Sequence, residues 1–164
     1  MAMETRFGIG FDIRPFSDSG KLVLAGIEIP DFTGLTGYPA GDILVHTISD
    51  SMLGALTLGS FADLFPENDG RFKKLPPLLL VQKTYDLIRQ EGFILNNLDS
   101  TLVLHKQINR NYINSIRKNI ADILWCDIGK LSIKISASPY PGFPGDNAGI
   151  TAITITSLLK GKGR

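Results

Sequence analysis

Three side chains early in the chain are of the types that handle metals and phosphates. Asp12 and Arg14 lie in the stretch Arg6-Phe7-Gly8-Ile9-Gly10-Phe11-Asp12-Ile13-Arg14-Pro15-Phe16, and His46 closes Asp42-Ile43-Leu44-Val45-His46. Gly8 and Gly10 alternate with apolar residues, the pattern of a strand that another backbone approaches closely. Side chains two apart on a strand share a face, so Asp12 and Arg14 point the same way. His46 lies on the helix expected next and can meet them there. A carboxylate oxygen and an imidazole nitrogen are ordinary ligands of a zinc-type ion. Arg14 stands where such a site would want a second histidine, and a guanidinium, always protonated, has no lone pair to donate. Asp42, His46 and Asp50 recur at spacings of four, forming one helical column in which Asp50 can accept the second ring N–H of a metal-bound His46. The same column also reads as a helix-face hydrogen-bond network without a metal, and these residues alone leave both readings open.

The elements that must position these residues follow from periodicity and turn chemistry. Residues 5–13 and 22–29 read as strands, and Ser17-Asp18-Ser19-Gly20 between them is turn sequence, so a hairpin is expected. Residues 31–41 form a Gly/Pro-rich loop. A helix is expected over 42–58, with Leu44, Val45, Ile48, Met52 and Leu56 near the 3.6-residue period. Residues 59–77 read as a long loop in which acidic and then basic residues could hold phosphates and a metal, or simply form a solvated connection. Helices are expected over 76–91 and 110–124, and strands over 99–105, 131–136 and 150–159, the last alternating apolar residues with threonine. Residues 137–149 form a second Gly/Pro-rich loop. The sum is an α+β fold, a mixed β-sheet with helices packed on one face. It makes one domain over 1–164, with 1–4 and 160–164 as flexible ends. Apolar residues on both faces of the strands call for something to cover the second face, and self-association does so most economically.

Composition narrows the class. Seventeen Lys and Arg against sixteen Asp and Glu leave a net charge of +1, so nothing electrostatic favours nucleic acid or a membrane surface. A single cysteine, Cys126, excludes an internal disulfide framework. No apolar run approaches the ~20 residues that span a bilayer, and the first residues have no signal-peptide character. A cytoplasmic protein is expected.

The ordered motifs then carry a resemblance. They are Arg6-x-Gly8-x-Gly10-x-Asp12, Leu24-x-Gly26-x-x-Ile29-Pro30, Gly34-Leu35, Gly41-Asp42-x-Leu44-x-His46-x-Ile48-x-Asp50-x-x-Leu53-Gly54-Ala55, Leu58-Gly59 and Leu64-Phe65-Pro66-x-x-Asp69. Together they resemble the 2-C-methyl-D-erythritol 2,4-cyclodiphosphate synthase family over nearly the whole length. The resemblance implies a homotrimer packed through its sheets, with active sites between neighbouring subunits. A zinc ion on Asp12 and His46 would polarise the β-phosphate of a cytidine diphosphate substrate, whose own 2-phosphate attacks and releases CMP. A second divalent ion, magnesium or manganese, would bridge the α- and β-phosphates. On the same basis Arg14, Phe65, Asp69, Ser136, Ser138 and Phe143 fall on the phosphate and substrate side, with Asp50 behind His46.

Several positions depart from the family pattern. Arg14 replaces a histidine, Tyr38-Pro39 a His-Ser pair, and Ser60 an Asp. Lys106-Gln107-Ile108 lacks the Pro and Lys of the cytidine pocket. Ser136-Ala137-Ser138-Pro139 stands for Thr-Thr-Thr-Glu, and Gly145-Asp146-Asn147-Ala148-Gly149 has lost an Arg. The losses fall on polar site residues, while the glycines and apolar positions that make the fold persist. Two readings follow: a divergent synthase in which Arg14 brings positive charge to a phosphate, or a catalytically silent trimeric homologue acting as a binding or scaffold protein.

Overall fold

The structure, a computed structural model, describes residues 4–37, 42–137 and 148–160. Its centre is a four-stranded sheet in the order β1-β6-β4-β5, built from β1 (Thr5–Pro15), β6 (Gly149–Lys160), β4 (Phe93–Leu104) and β5 (Leu131–Ala137). β6 runs antiparallel to both β1 and β4, and β5 runs parallel to β4, which makes the sheet mixed. Helices α1 (Ile43–Ala55), α4 (Pro77–Gln90) and α5 (Arg110–Ile123) cover one face, as an α+β chain requires.

The expected hairpin between 5–13 and 22–29 does not form. β1 pairs along its whole length with β6, from Thr5 opposite Leu159 to Pro15 opposite Gly149. Residues 22–29 fold on themselves instead, as β2 (Leu22–Leu24) and β3 (Ile27–Ile29). The cause is local: Ala25 and Gly26 both take positive φ, 47° and 78°, the signature of the tight turns that match strand twist. The strand expected from residue 99 starts at Phe93, because Asn96 and Asn97, beside a register shift between Leu95 and Asn97, hide the alternation. The stretch 59–77 holds two short helices, α2 (Phe61–Leu64) and α3 (Gly70–Lys73), started by Ser60 and Asp69 as N-caps. The first helix ends at Ala55, three residues early, where Thr57 takes φ 57° and closes its last turn with Leu58 N–H on the Leu53 carbonyl.

Helix α1 and strand β1 touch backbone to backbone. A Cβ on Gly8 would stand 1.9 Å from the Ser51 carbonyl oxygen, and one on Gly10 would stand 2.0 Å from that of Thr47. So close an approach leaves room only for small groups beneath the helix, which inverts the usual pattern of β6. Thr154 and Thr156 face inward, fully buried, while Ile155 is 50% exposed on the other side. The inward hydroxyls are satisfied across the layer. Thr154 bonds to Thr47 at 2.9 Å and to Ser100 at 2.7 Å, and Thr156 bonds to Ser51 at 2.6 Å. The outward face of β1 carries Phe7, Ile9, Phe11 and Ile13, each at least half exposed. It is an apolar surface of the kind that soluble chains cover by association. Among the described residues, no helix is long and apolar enough to cross a membrane.

Candidate functional site

The glycine face of β1 continues into Asp12 and Arg14. Two strand residues advance ~6.8 Å and one helical turn 5.4 Å, so the helix and strand keep rough step as they run antiparallel. Ser51 and Ala55 lie over Gly8 and Thr47 lies over Gly10, so the next turn back, ending at His46, reaches Asp12. There the glycines stop, and side chains fill the gap.

His46 Nδ1 stands 2.7 Å from Asp12 Oδ2. Arg14 Nε donates to the same oxygen at 2.6 Å, and its Nη2 lies 3.1 Å from His46 Nδ1. One ring nitrogen cannot donate to the carboxylate and accept from the guanidinium together; the shorter contact assigns the proton toward Asp12. The other oxygen of Asp12 accepts the Ile13 N–H at 2.9 Å. Burial works hardest against ionisation of Asp12, but hydrogen bonds from His46 and Arg14, with their charges, outweigh it and hold the carboxyl below its ordinary value. Arg14 is only 8% exposed. Its Nη1 donates to the Thr36 carbonyl at 3.4 Å, and Gly37, at φ 98°, presses so near that a Cβ there would sit 2.7 Å from Nη1.

Asp50 lies behind His46, its Oδ2 3.4 Å from Nε2, while Oδ1 accepts the Phe61 N–H at 2.5 Å. Asp42 does not join that column. It is the N-cap of α1, 1% exposed, and accepts from Val45 N–H at 3.2 Å and Ala25 N–H at 2.7 Å. Burial pushes its carboxyl up to about 6 in spite of those backbone bonds.

The remaining expected residues are scattered. Phe65 is 3% exposed and sits in an aromatic row, His46–Phe61–Phe65–Phe72, with ring centroids 5.0–5.1 Å apart. It therefore packs behind Phe61, the ring that meets His46, and does not line an open surface. Asp69 caps α3 and pairs with Arg71 at 2.6 Å, and Asp63 is engaged with Ser60. Asp63 and Asp69 thus serve the loop's own short helices. Ser136 is exposed at the end of β5, in register with Val103, which pairs in turn with Thr151 and so with Ile13. Three strand spacings, about 14 Å, part it from Arg14 within one chain. Ser138 and Phe143 lie outside the described residues, as do Tyr38 and Pro39. Gln107 and Ile108 line an open groove of about 480 Å³ with Arg110 and Lys134, between α5 and β5.

The donors do not fit a zinc site. Two ligands of a tetrahedral ion at ~2.0–2.1 Å stand roughly 3.3 Å apart, whereas Asp12 Oδ2 and His46 Nδ1 are 2.7 Å apart and share a proton. The third side chain at this point is a cation. Among the described residues, no group of three or more His, Cys, Asp or Glu side chains is arranged to hold a metal. Sequence reasoning missed Thr36 and Gly37 over Arg14, and Phe61 under His46. The Ser60-x-x-Asp63 capping box was the one available sign that a helix places Phe61 there.

The sequence matches the YgbB family over residues 5–159, and the chain belongs to that family. Relatives from Carboxydothermus hydrogenoformans and Brachyspira hyodysenteriae, both named 2-C-methyl-D-erythritol 2,4-cyclodiphosphate synthase, are 38% and 39% identical. The first match covers 96% of this chain and 99% of the relative, the second 94% and 98%. Among solved structures, the bifunctional IspDF of Campylobacter jejuni superposes with a TM-score of 0.90 at 30% identity, over 97% of this chain. The chain spans 43% of that longer protein. A Plasmodium falciparum IspF described as a CDP complex superposes with a TM-score of 0.83 at 25% identity, over 99% of this chain and all of that one.

Proposed function

We propose that this chain catalyses the reaction for which its relatives are named, closing 2-C-methyl-D-erythritol 2,4-cyclodiphosphate from 4-diphosphocytidyl-2-C-methyl-D-erythritol 2-phosphate. The observation that carries the proposal is the match to synthases over nearly the full length of both partners. In this reaction an oxygen of the 2-phosphate forms a bond to the β-phosphorus. The bond from that phosphorus to the bridging oxygen breaks, and CMP leaves with its electron pair. Attacking and leaving groups belong to one molecule, so the protein supplies position and charge, and no nucleophile of its own.

The apolar outer face of β1 and β6 is covered, in this reading, by two further copies in a cytoplasmic homotrimer. That assembly brings Ser136 of one subunit toward Asp12, Arg14 and His46 of the next, across a distance that one chain leaves open. The Ser136 hydroxyl donates to the phosphates, and the groove at Gln107 and Ile108 receives the cytidine.

In the second reading, a silent trimeric binding or scaffold protein, the Arg14 guanidinium, buried and already paired, has no charge to spare for a phosphate. Turnover separates the two. The purified protein is incubated with the substrate and magnesium, and CMP and the cyclic diphosphate are followed by phosphorus NMR. The proposal expects both products from the parent protein and neither from His46→Ala. No product from an intact trimer would overturn it in favour of the silent protein.

A further inference from the structure

We infer that Arg14 is a built-in cation occupying the place of a metal: the Asp12–Arg14–His46 cluster takes no zinc, and Arg14→His alone opens it to one zinc-type ion per chain. The guanidinium fork is used in every direction, with Nε on Asp12 at 2.6 Å, Nη2 beside His46 at 3.1 Å and Nη1 on the Thr36 carbonyl at 3.4 Å. It contacts both donor atoms that an ion would need, and Gly37 closes over it. Those donors are also committed to each other at 2.7 Å, Asp12 Oδ1 is held by the Ile13 N–H, and His46 Nε2 faces Asp50. An incoming divalent ion would have to break the ion pair, separate the donors and sit against a charge that cannot be titrated away.

The scaffold behind the cluster is nonetheless that of a metal site. A carboxylate and an imidazole converge from a strand and a helix locked together by Gly8 and Gly10. The imidazole is braced on its far side by Asp50 and by a T-shaped contact with Phe61, 5.1 Å between ring centroids. An imidazole in place of the guanidinium, projecting from the same face of β1, supplies a third donor that is itself neutral and so removes the opposing charge. One oxygen and two nitrogens with an open fourth position are a usual zinc set. The assignment deepens the synthase proposal by naming the cation at its site. Zinc content is read independently of turnover, so either can fail alone.

The test is zinc stoichiometry by elemental analysis after dialysis, with calorimetric titration of zinc chloride, on the parent protein, Arg14→His and Arg14→Gln. The parent and Arg14→Gln are expected to retain essentially no zinc. Arg14→His is expected to retain about one ion per chain, bound more tightly than by the parent by more than the ~10–100-fold that loss of a supporting contact alone costs a metal site. That ion should be lost when His46→Ala is added. Cobalt in its place should give the visible absorption of a tetrahedral site. About one zinc per parent chain, removed by His46→Ala, would overturn the inference, as would a folded Arg14→His protein that takes none. If Arg14→His does not fold, Arg14→Ala titrated with zinc and free imidazole gives the same two answers. Uptake only with imidazole present supports the inference, and no uptake overturns it.

Discussion

The contact between β1 and α1 makes Gly10→Ala a severe test of how the site is held. The new Cβ would meet the Thr47 carbonyl oxygen at 2.0 Å, its carbon at 2.7 Å and its Cα at 2.9 Å, all backbone atoms that no rotamer change can move. Restoring an ordinary 3.4 Å contact needs the helix to retreat by about 1.4 Å. Overpacking against side chains costs about 1–3 kcal/mol, and a backbone-to-backbone clash belongs at or above the top of that range. For a chain of this size, about 3 kcal/mol lowers the Tm by roughly 6–12 °C. His46 adjoins Thr47, so the same retreat stretches its 2.7 Å contact with Asp12 beyond hydrogen-bonding range. Gly54→Ala on the same helix is the control. Its Cβ finds only the Ile9 carbonyl oxygen at 3.9 Å, so it should gain up to ~1 kcal/mol of helix propensity. Thermal melts by circular dichroism at equal protein concentration read both variants, and turnover reads the site. A Gly10→Ala protein melting within about 2 °C of the parent, with turnover intact, would refute the close-packed layer.

Two further outcomes are expected. Phe11→Asp places a charge on the exposed outer face of β1, opposite Ile153. Light scattering at micromolar concentration should show a trimeric parent and a folded monomeric variant, and a monomeric parent would contradict the assembly. Asp42 gives a pH test. Its carboxyl, raised mainly by burial from 3.8 to about 6, holds its proton more tightly folded than unfolded. Its contribution to stability is therefore complete below pH 3.8 and lost as pH rises through 6, a swing of roughly 3 kcal/mol. Asp12, lowered, acts the other way, its contribution being lost only as pH falls through its depressed folded value, outside this window. Denaturant midpoints between pH 4 and 7 should fall in the parent and stay flatter in Asp42→Asn, which is less stable throughout because an amide cannot accept from both Val45 and Ala25. Parallel slopes would contradict the assignment.

Strand β1, the helix over it and the meeting of Asp12 with His46 were legible because glycine, apolar alternation and helical spacing are local signals. Partner choice was not. Turn chemistry at 17–20 suggested a hairpin, but an eleven-residue register with the distant β6 outweighs it. The inward threonines of β6 were equally hidden, since alternation reveals two faces without saying which is buried. Here the glycine contact decides, by admitting only small side chains under α1. At the site, the identities of Asp12, Arg14, His46 and Asp50 could be read directly, whereas the enclosure of Arg14 by Thr36 and Gly37 depends on a loop returning from 22 residues away. The oddity of Arg14 was visible in its chemistry alone. What it touches required the fold.

The most direct measurement is diffraction at the zinc absorption edge from crystals grown with zinc chloride and CDP. No anomalous peak is expected between Asp12 and His46, with the Arg14 guanidinium seated there and Nε on the carboxylate. A peak at that point, with Arg14 turned away from both residues, would contradict that expectation.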